Sequence, residues 1–136
     1  MVEIEIGYAG ELHCSAKHGP SGAEIETDAP VDNHGRGAAF SPTDLCATSL
    51  GVCMLTILGI AAEKHEVDVR GAKGKVGKEM SAELPRRISR ITVDLEIPQP
   101  ADHPKRKALE AAARSCPVHH SLHPDIEKVI TWNWVG

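Results

Sequence analysis

The sequence has no excess of basic residues, no long apolar run and no secretion signal. Fifteen Lys and Arg stand against 19 Asp and Glu, a net charge of −4, so electrostatic capture of nucleic acid or of an anionic membrane is not expected. The longest apolar stretch, residues 50–62, is shorter than the roughly 20 residues that span a bilayer. The amino terminus carries Glu3 and Glu5, whereas a signal peptide would carry bases. These absences predict a cytoplasmic protein with no nucleic-acid or membrane partner.

Aromatic residues and cysteines are also few. Aromatic residues make up 3% of the chain, which leaves Phe40, Trp132 and Trp134 as the large side chains available to line a pocket. The wide, irregular spacing of the four cysteines is unlike a secreted disulfide framework, so we expect reduced thiols. The 136 residues, 41% of them hydrophobic, are enough for one core of moderate size, and we expect a single domain spanning residues 1–136.

The first quarter of the chain has the period-two pattern of β-strands. Val2, Ile4 and Ile6 alternate with acidic residues, and two further alternating segments follow after glycine-containing turns. We therefore expect a three-stranded meander in which Cys14 faces the core as a small buried hydrophobic residue. From residue 28 to residue 40 the periodicity disappears, which predicts a functional loop or a crossing linker.

The sequence Ser41-Pro42-Thr43-Asp44 is typical of a helix start. Ser41 would cap free amides, Pro42 suits the first helical position, and Asp44 stands where a capping-box acid stands. The helix should run to about residue 63 or 65. Its apolar residues lie on nearly every face, so we expect it to be the central core helix.

The second half of the chain alternates between strands and helices. A lysine-rich segment at 71–80 predicts an exposed hairpin or edge strand, and residues 91–97 have the clearest strand alternation in the sequence. A helix should begin at Pro104, a short helix at Pro117 and a closing strand at 129–134. The order is βββαββααβ, an α+β fold in which two sheets wrap long central helices.

Two of the cysteines occupy chemically distinctive positions. Cys116 precedes Pro117, so its sulfur should lie at a helix N-terminus, where free amides favour the thiolate. Cys53 lies in the apolar middle of the long helix, where burial alone keeps a thiol protonated. Cys46 lies almost two turns earlier on nearly the same stripe. Either Cys46 or Cys53 is therefore placed to face Cys116.

The segments SPTDLCATSLGVC, at 41–53, and SCPVH, at 115–119, together resemble the OsmC/Ohr family of osmotically induced and organic-hydroperoxide-resistance proteins. The resemblance covers most of the chain in element order. It implies an intertwined homodimer with each thiol pair near the subunit interface. It places the first family cysteine on Cys53 and the second on Cys116, leaving Cys46 as an extra.

The resemblance also implies a thiol-dependent peroxidase that reduces organic hydroperoxides in oxidative stress defence. Cys53 would attack the hydroperoxide and become a sulfenic acid, Cys116 would condense with it to a disulfide, and an external dithiol reductant would restore both thiols. The two thiols suffice for this cycle, so no cofactor is expected.

A thiolate in an apolar pocket needs a fixed cation nearby. Active members of the family use an early arginine together with a glutamate just after the helix-start proline. In this sequence the first arginine is Arg36, and Thr43 stands where the glutamate would fall. We therefore take Arg36 as the candidate to activate Cys53 and Asp44 as the candidate to orient Arg36, although capping explains Asp44 equally well.

Two rival interpretations remain open. On a helix, Cys116, His119, His120 and His123 would share one face, and they offer ligand types that suit zinc. In the simpler alternative, His119 or His120 faces solvent, Val118 and Leu122 pack, and His123-Pro124 forms the exit turn. Against zinc, structural sites usually draw ligands from two separated segments, and no CxxC accompanies these residues; an imidazole that hydrogen-bonds Cys116 and tunes it is an intermediate case. The other rival is a non-catalytic stress-response or small-ligand-binding protein, whose cysteines are only core residues.

Overall fold

The computed structural model describes residues 1–136, and its element order confirms the predicted βββαββααβ. The elements are β1 (Ile4–Gly10), β2 (His13–His18), β3 (Glu24–Asp28), α1 (Pro42–Lys64), β4 (Lys73–Met80), β5 (Ile88–Ile97), α2 (Arg106–Arg114), α3 (Pro117–Ser121) and β6 (Glu127–Trp134). The chain divides into two compact units, Met1–Cys46 and Ala47–Gly136. That residues 1–136 form a single domain stays a prediction.

The first unit contains the predicted three-stranded antiparallel meander, in the order β1-β2-β3. One face of this sheet is an apolar groove of about 560 Å³, to which Ile6, Tyr8, Cys14 and Ile25 contribute. Ile6 is 82% exposed and Tyr8 is 68% exposed, and Cys14 is only half-buried. The prediction that Cys14 is a buried core residue is therefore wrong. One face of a single sheet stays exposed unless another element packs on it. Alternation along a strand shows which residues share a face, but not whether that face is buried.

The start of α1 is a reciprocal capping box, as predicted. The Ser41 amide donates to Asp44 Oδ2 at 2.9 Å, and the Asp44 amide donates to Ser41 Oγ at 3.0 Å. Ser41 is 1% exposed, so this cap is also a buried one. The helix ends at Lys64, inside the predicted range.

α1 continues without a break through Gly51, Thr56 and Gly59, the residues that interrupt its apolar sequence. Its 23 residues contain an 18-residue window of mean hydropathy 2.1, and length and composition alone would allow it to cross a bilayer. However, Leu50, Met54 and Leu58 are completely buried within the protein core. This burial makes α1 the core helix that the sequence predicted.

The second unit is built on the sheet β4-β5-β6, in which β4 is an antiparallel edge strand and β6 runs parallel to β5. The lysine-rich segment is therefore at a sheet edge, as predicted. The alternating apolar residues of β5 are at most 2% exposed: Ile91, Val93, Leu95 and Ile97. At Gly51 of α1, an added Cβ would lie 2.6 Å from Val76 Cγ2 of β4, so the helix backbone lies directly on the sheet.

The crossover from β5 to β6 runs through α2 and α3. α2 begins at Arg106, two residues after the predicted Pro104, and buries Leu109 and Ala113 completely. Glu110 Oε1 accepts hydrogen bonds from Trp134 Nε1 at 2.9 Å and from Arg106 Nε at 3.0 Å. Trp134 is thus a core residue that ties β6 to α2, and it is 7% exposed rather than open for a pocket.

Candidate functional site

Cys116 occupies the N-cap of α3, as the sequence predicted. Pro117 fills the first helical turn, and the Cys116 sulfur accepts a hydrogen bond from the His119 amide at 3.3 Å. The Cys116 amide in turn donates to Ala113 O at the end of α2. The residue is completely buried, so it sits at a tight junction between two helices.

The prediction that this junction makes Cys116 easy to ionise is wrong. Burial raises the pKa of the Cys116 thiol above its ordinary value, and the His119 amide, which lowers it, does not compensate. Removing a sulfur anion from water costs more than one amide hydrogen bond returns. α3 is also only five residues long, so few aligned peptide dipoles stand behind that amide.

Cys53 is the cysteine of α1 that meets Cys116. The two side chains are in hydrogen-bond contact, and this contact further raises the pKa of Cys116. Cys53 is half-buried, whereas Cys116 is buried, and all four cysteines of the chain are reduced thiols. The structure therefore brings together two of the four predicted site residues. A negative charge on Cys53 favours a Cys116 that keeps its proton, because like charges in contact repel.

The histidines do not form the shared face that the zinc interpretation requires, and His123 begins the exit turn that the simpler alternative expects. α3 ends at Ser121, so His123 lies beyond the helix. The rings of His119 and His120 meet edge to face with centroids 6.2 Å apart, and the chain contains no group of three or more His, Cys, Asp or Glu residues that could hold a metal ion. The zinc interpretation thus loses its geometric basis.

Sequence reasoning overlooked two cations near α3. Burial lowers the pKa of His119, and the positive charges of Lys128 and Arg114 lower it further, so the imidazole is biased toward its neutral form. Lys128 Nζ is held by Ile126 O at 3.2 Å. A lysine at the start of a strand carries no sequence signal for such a position, which is set by the turn between α3 and β6.

Arg36 and Asp44, the other two predicted site residues, belong to the first unit. The Arg36 guanidinium lies 3.7 Å from Glu11 Oε2, and both side chains are largely exposed. Asp44 accepts the Ser41 amide hydrogen bond of the capping box, so its capping role is present. Activation of Cys53 by Arg36, with orientation by Asp44, stays a prediction.

The sequence also matches a family model. The model described as OsmC-like protein aligns with residues 34–130. The chain belongs to the OsmC-like family. This membership confirms the resemblance seen in the sequence, and the aligned region contains Arg36, Asp44, Cys53 and Cys116. No curated protein matches the sequence.

Solved structures of OsmC-like proteins share the fold along almost the whole chain. A protein from Psychrobacter arcticus, provisionally assigned to the osmotic stress induced and detoxification response, is 46% identical, with 97% of this chain and 96% of that chain covered and a TM-score of 0.91. An organic hydroperoxide resistance protein OsmC from Legionella pneumophila has 13% identity, coverage of 98% and 96%, and a TM-score of 0.77. An OsmC-like protein from Mycoplasma pneumoniae has 16% identity, coverage of 100% and 98%, and a TM-score of 0.82. At the lower identities the likeness concerns the fold alone.

Proposed function

We propose that this OsmC-like protein is a cytoplasmic thiol-dependent peroxidase that reduces organic hydroperoxides in oxidative stress defence. The observation that carries the proposal is the contact between Cys53 and Cys116, two reduced thiols on different helices. Family membership supports the substrate class, since the Legionella pneumophila relative in fold is named an organic hydroperoxide resistance protein.

In the proposed cycle the two sulfurs have different roles. Cys53 is the more accessible thiol, so its thiolate attacks the terminal oxygen of ROOH; the O–O bond breaks, ROH leaves after taking up a proton, and Cys53 becomes a sulfenic acid. Cys116 then attacks the sulfenic sulfur, a disulfide forms and water leaves. An external dithiol reductant returns both sulfurs to thiols by disulfide exchange. No cofactor is required.

Arg36 is our candidate for the cation that activates Cys53. Its ion pair with Glu11 is exposed on both sides, and such pairs contribute little to stability, so exchange to another anion would cost little. Asp44 would orient the guanidinium while it keeps its capping hydrogen bond with Ser41.

The proposed active form is a homodimer. The exposed apolar residues Ile6 and Tyr8 of β1, and Val52 and Ile60 of α1, support this assembly because each is more than half exposed in the single chain. Covering apolar surface of this kind with another subunit lowers the free energy of the assembly. Analytical ultracentrifugation should give twice the monomer mass of 14.6 kDa.

Replacement of Cys53 tests the enzymatic proposal. Cys53→Ser should abolish turnover of cumene hydroperoxide with dithiothreitol, whereas Cys46→Ser, on the same helix, should stay near wild type. A wild-type protein that leaves the hydroperoxide unreduced, or a Cys53→Ser variant that still turns over, would disprove the proposal.

A second candidate function is non-catalytic binding of a small apolar ligand. The groove of about 560 Å³ beside Tyr8 and Cys14 favours it, because ligand pockets commonly have volumes of roughly 300–1,000 Å³ and apolar walls. Unreactive cysteines combined with saturable binding of a fluorescent fatty acid would decide for this alternative.

A further inference from the structure

Asp28, the last residue of β3, is a nearly completely buried carboxylate with its own cation. It is 2% exposed, and its Oδ1 lies 2.7 Å from Nδ1 of His13 on the neighbouring strand β2. A buried carboxylate is costly unless it is paired and hydrogen-bonded. Neither residue had a predicted role.

The same carboxylate holds the loop that follows it. The Ala38 amide donates to Asp28 Oδ2 at 3.1 Å, so one side chain joins β2 to the far end of residues 29–40. The backbone reinforces this closure, since the Asp28 amide donates to Phe40 O at 3.2 Å and the Gly37 amide donates to Ala29 O at 3.3 Å. Arg36 lies inside the closed segment.

We propose that the His13–Asp28 ion pair is a proton-controlled latch, which holds residues 29–40 against the N-terminal sheet and loosens them when His13 loses its proton. The latch acts on a loop of the first unit and needs no assumption about catalysis. Its effect on hydroperoxide reduction, through Arg36, rests on the proposed function.

Three charged groups outside the pair lie near it or near its neighbours. The His13 ring faces Asp28 on one side. On the other side, its Nε2 lies 3.5 Å from Oε1 of Glu26, which is mostly exposed. The charge of Arg36 also acts on Asp28, and Arg36 itself pairs with Glu11. Asp28 and Glu26 therefore act on the His13 imidazole directly, whereas Arg36 acts on Asp28.

The direction of the pH effect follows from these contacts. The hydrogen bond with Asp28 raises the pKa of His13 above its ordinary 6.5, against the opposing effect of burial. The stabilisation is therefore fully present below pH 6.5 and is lost as the pH rises through the raised pKa. The hydrogen bond with His13 lowers the pKa of Asp28 below 3.8, so the pair fails on the acid side only when the pH falls through that lowered pKa.

Deprotonation weakens the latch without removing every contact. A neutral imidazole with its hydrogen on Nδ1 still donates to Asp28, but the buried carboxylate loses its nearest positive charge. Hydrogen bonds that involve ionised groups on both sides are the stronger ones. The loop should therefore open more often above the pKa of His13, and its amides should exchange faster.

The test is amide hydrogen exchange of Ala38 between pH 5.5 and 8, expressed as a protection factor so that the intrinsic pH dependence cancels. We expect protection in the wild type to fall by roughly tenfold across the titration of His13, whose midpoint is read independently from the NMR shift of its ring. His13→Gln should show low protection that no longer changes with pH. Glu26→Gln, which alters the exposed neighbour, should keep the wild-type fall with only a shifted midpoint.

Protection of Ala38 that is flat with pH in the wild type would overturn the proposal, and so would a fall that does not follow the ring titration of His13. If His13→Gln does not fold, the wild-type measurements and Glu26→Gln still decide. The exchange experiment needs no enzymatic activity, so a protein inactive toward hydroperoxide can still have the latch. If the protein is active, His13→Gln should change the pH profile of kcat/KM more than its maximum.

Discussion

The sulfur of Cys116 accepts the His119 amide at 3.3 Å while its side chain contacts Cys53. The resolving candidate is thus fixed by the backbone of α3, and the attacking candidate is carried by the core helix α1. Of the two thiols, Cys53 is the more accessible, and burial together with the Cys53 contact raises the pKa of Cys116.

The two thiols should differ in their rates of alkylation by iodoacetamide. Cys116, measured in Cys53→Ser, should react at least roughly tenfold more slowly than Cys53, measured in Cys116→Ser, because a buried sulfur reacts only after local opening and because burial raises the pKa of Cys116. Both variants also carry Cys14→Ser and Cys46→Ser, and mass spectrometry follows the modification. Equal rates would mean that Cys116 is not protected by its position.

Cys116→Ser should also leave a detectable intermediate. After one equivalent of cumene hydroperoxide, Cys53 should accumulate as a sulfenic acid that dimedone traps, because no resolving thiol is present. The wild type treated in the same way should show an intramolecular disulfide, two mass units lighter by the loss of two hydrogens. A disulfide to Cys46 instead would reassign the resolving role.

Gly51 and Gly59 form a matched pair on α1. Gly51→Ala should lower the free energy of unfolding by about 1–3 kcal/mol, because its new Cβ would lie 2.6 Å from Val76 Cγ2. Gly59→Ala should raise it by about 0.5–1 kcal/mol, since no atom lies within 4 Å of its added Cβ. Urea denaturation followed by circular dichroism measures both, and a stabilised Gly51→Ala would show that β4 moves away freely.

Glu110 should stabilise the junction between α2 and β6 more than an exposed acid would. Glu110→Gln weakens its contacts with both Trp134 and Arg106, and we expect a loss of about 1 kcal/mol because these groups are only partly buried. Glu83→Gln disrupts the exposed pair with Arg87 and should change the free energy of unfolding by less than about 0.5 kcal/mol. Identical effects in the same urea titration would assign Glu110 no special role.

Local patterns predicted the features that depend on neighbouring residues. The capping box of Ser41 and Asp44, the buried face of β5 and the N-cap position of Cys116 all follow from spacing within a few residues. The direction of the Cys116 pKa shift does not, because it depends on how deeply the folded chain buries the sulfur. Cys14 differs from its prediction for a related reason: its strand has the predicted alternation, but alternation does not show which face of the sheet is covered.

Contacts between residues that are distant in the sequence could not be predicted either. His13 and Asp28 meet because β2 and β3 pair in one particular register, and nothing in either local sequence singles them out. His123 follows the simpler of the two interpretations: α3 ends at Ser121, and His123 and Pro124 lie in the exit turn, whereas the zinc interpretation needed the helix to continue.

A disulfide between Cys53 and Cys116 would change the stability of the second unit. A covalent bond from residue 53 to residue 116 would enclose β4, β5 and α2 in one ring, and in the chain-entropy treatment a ring of this size disfavours the unfolded ensemble by about 4 kcal/mol. The oxidised protein would then be more stable than the reduced protein, and a reductant would lower its melting temperature.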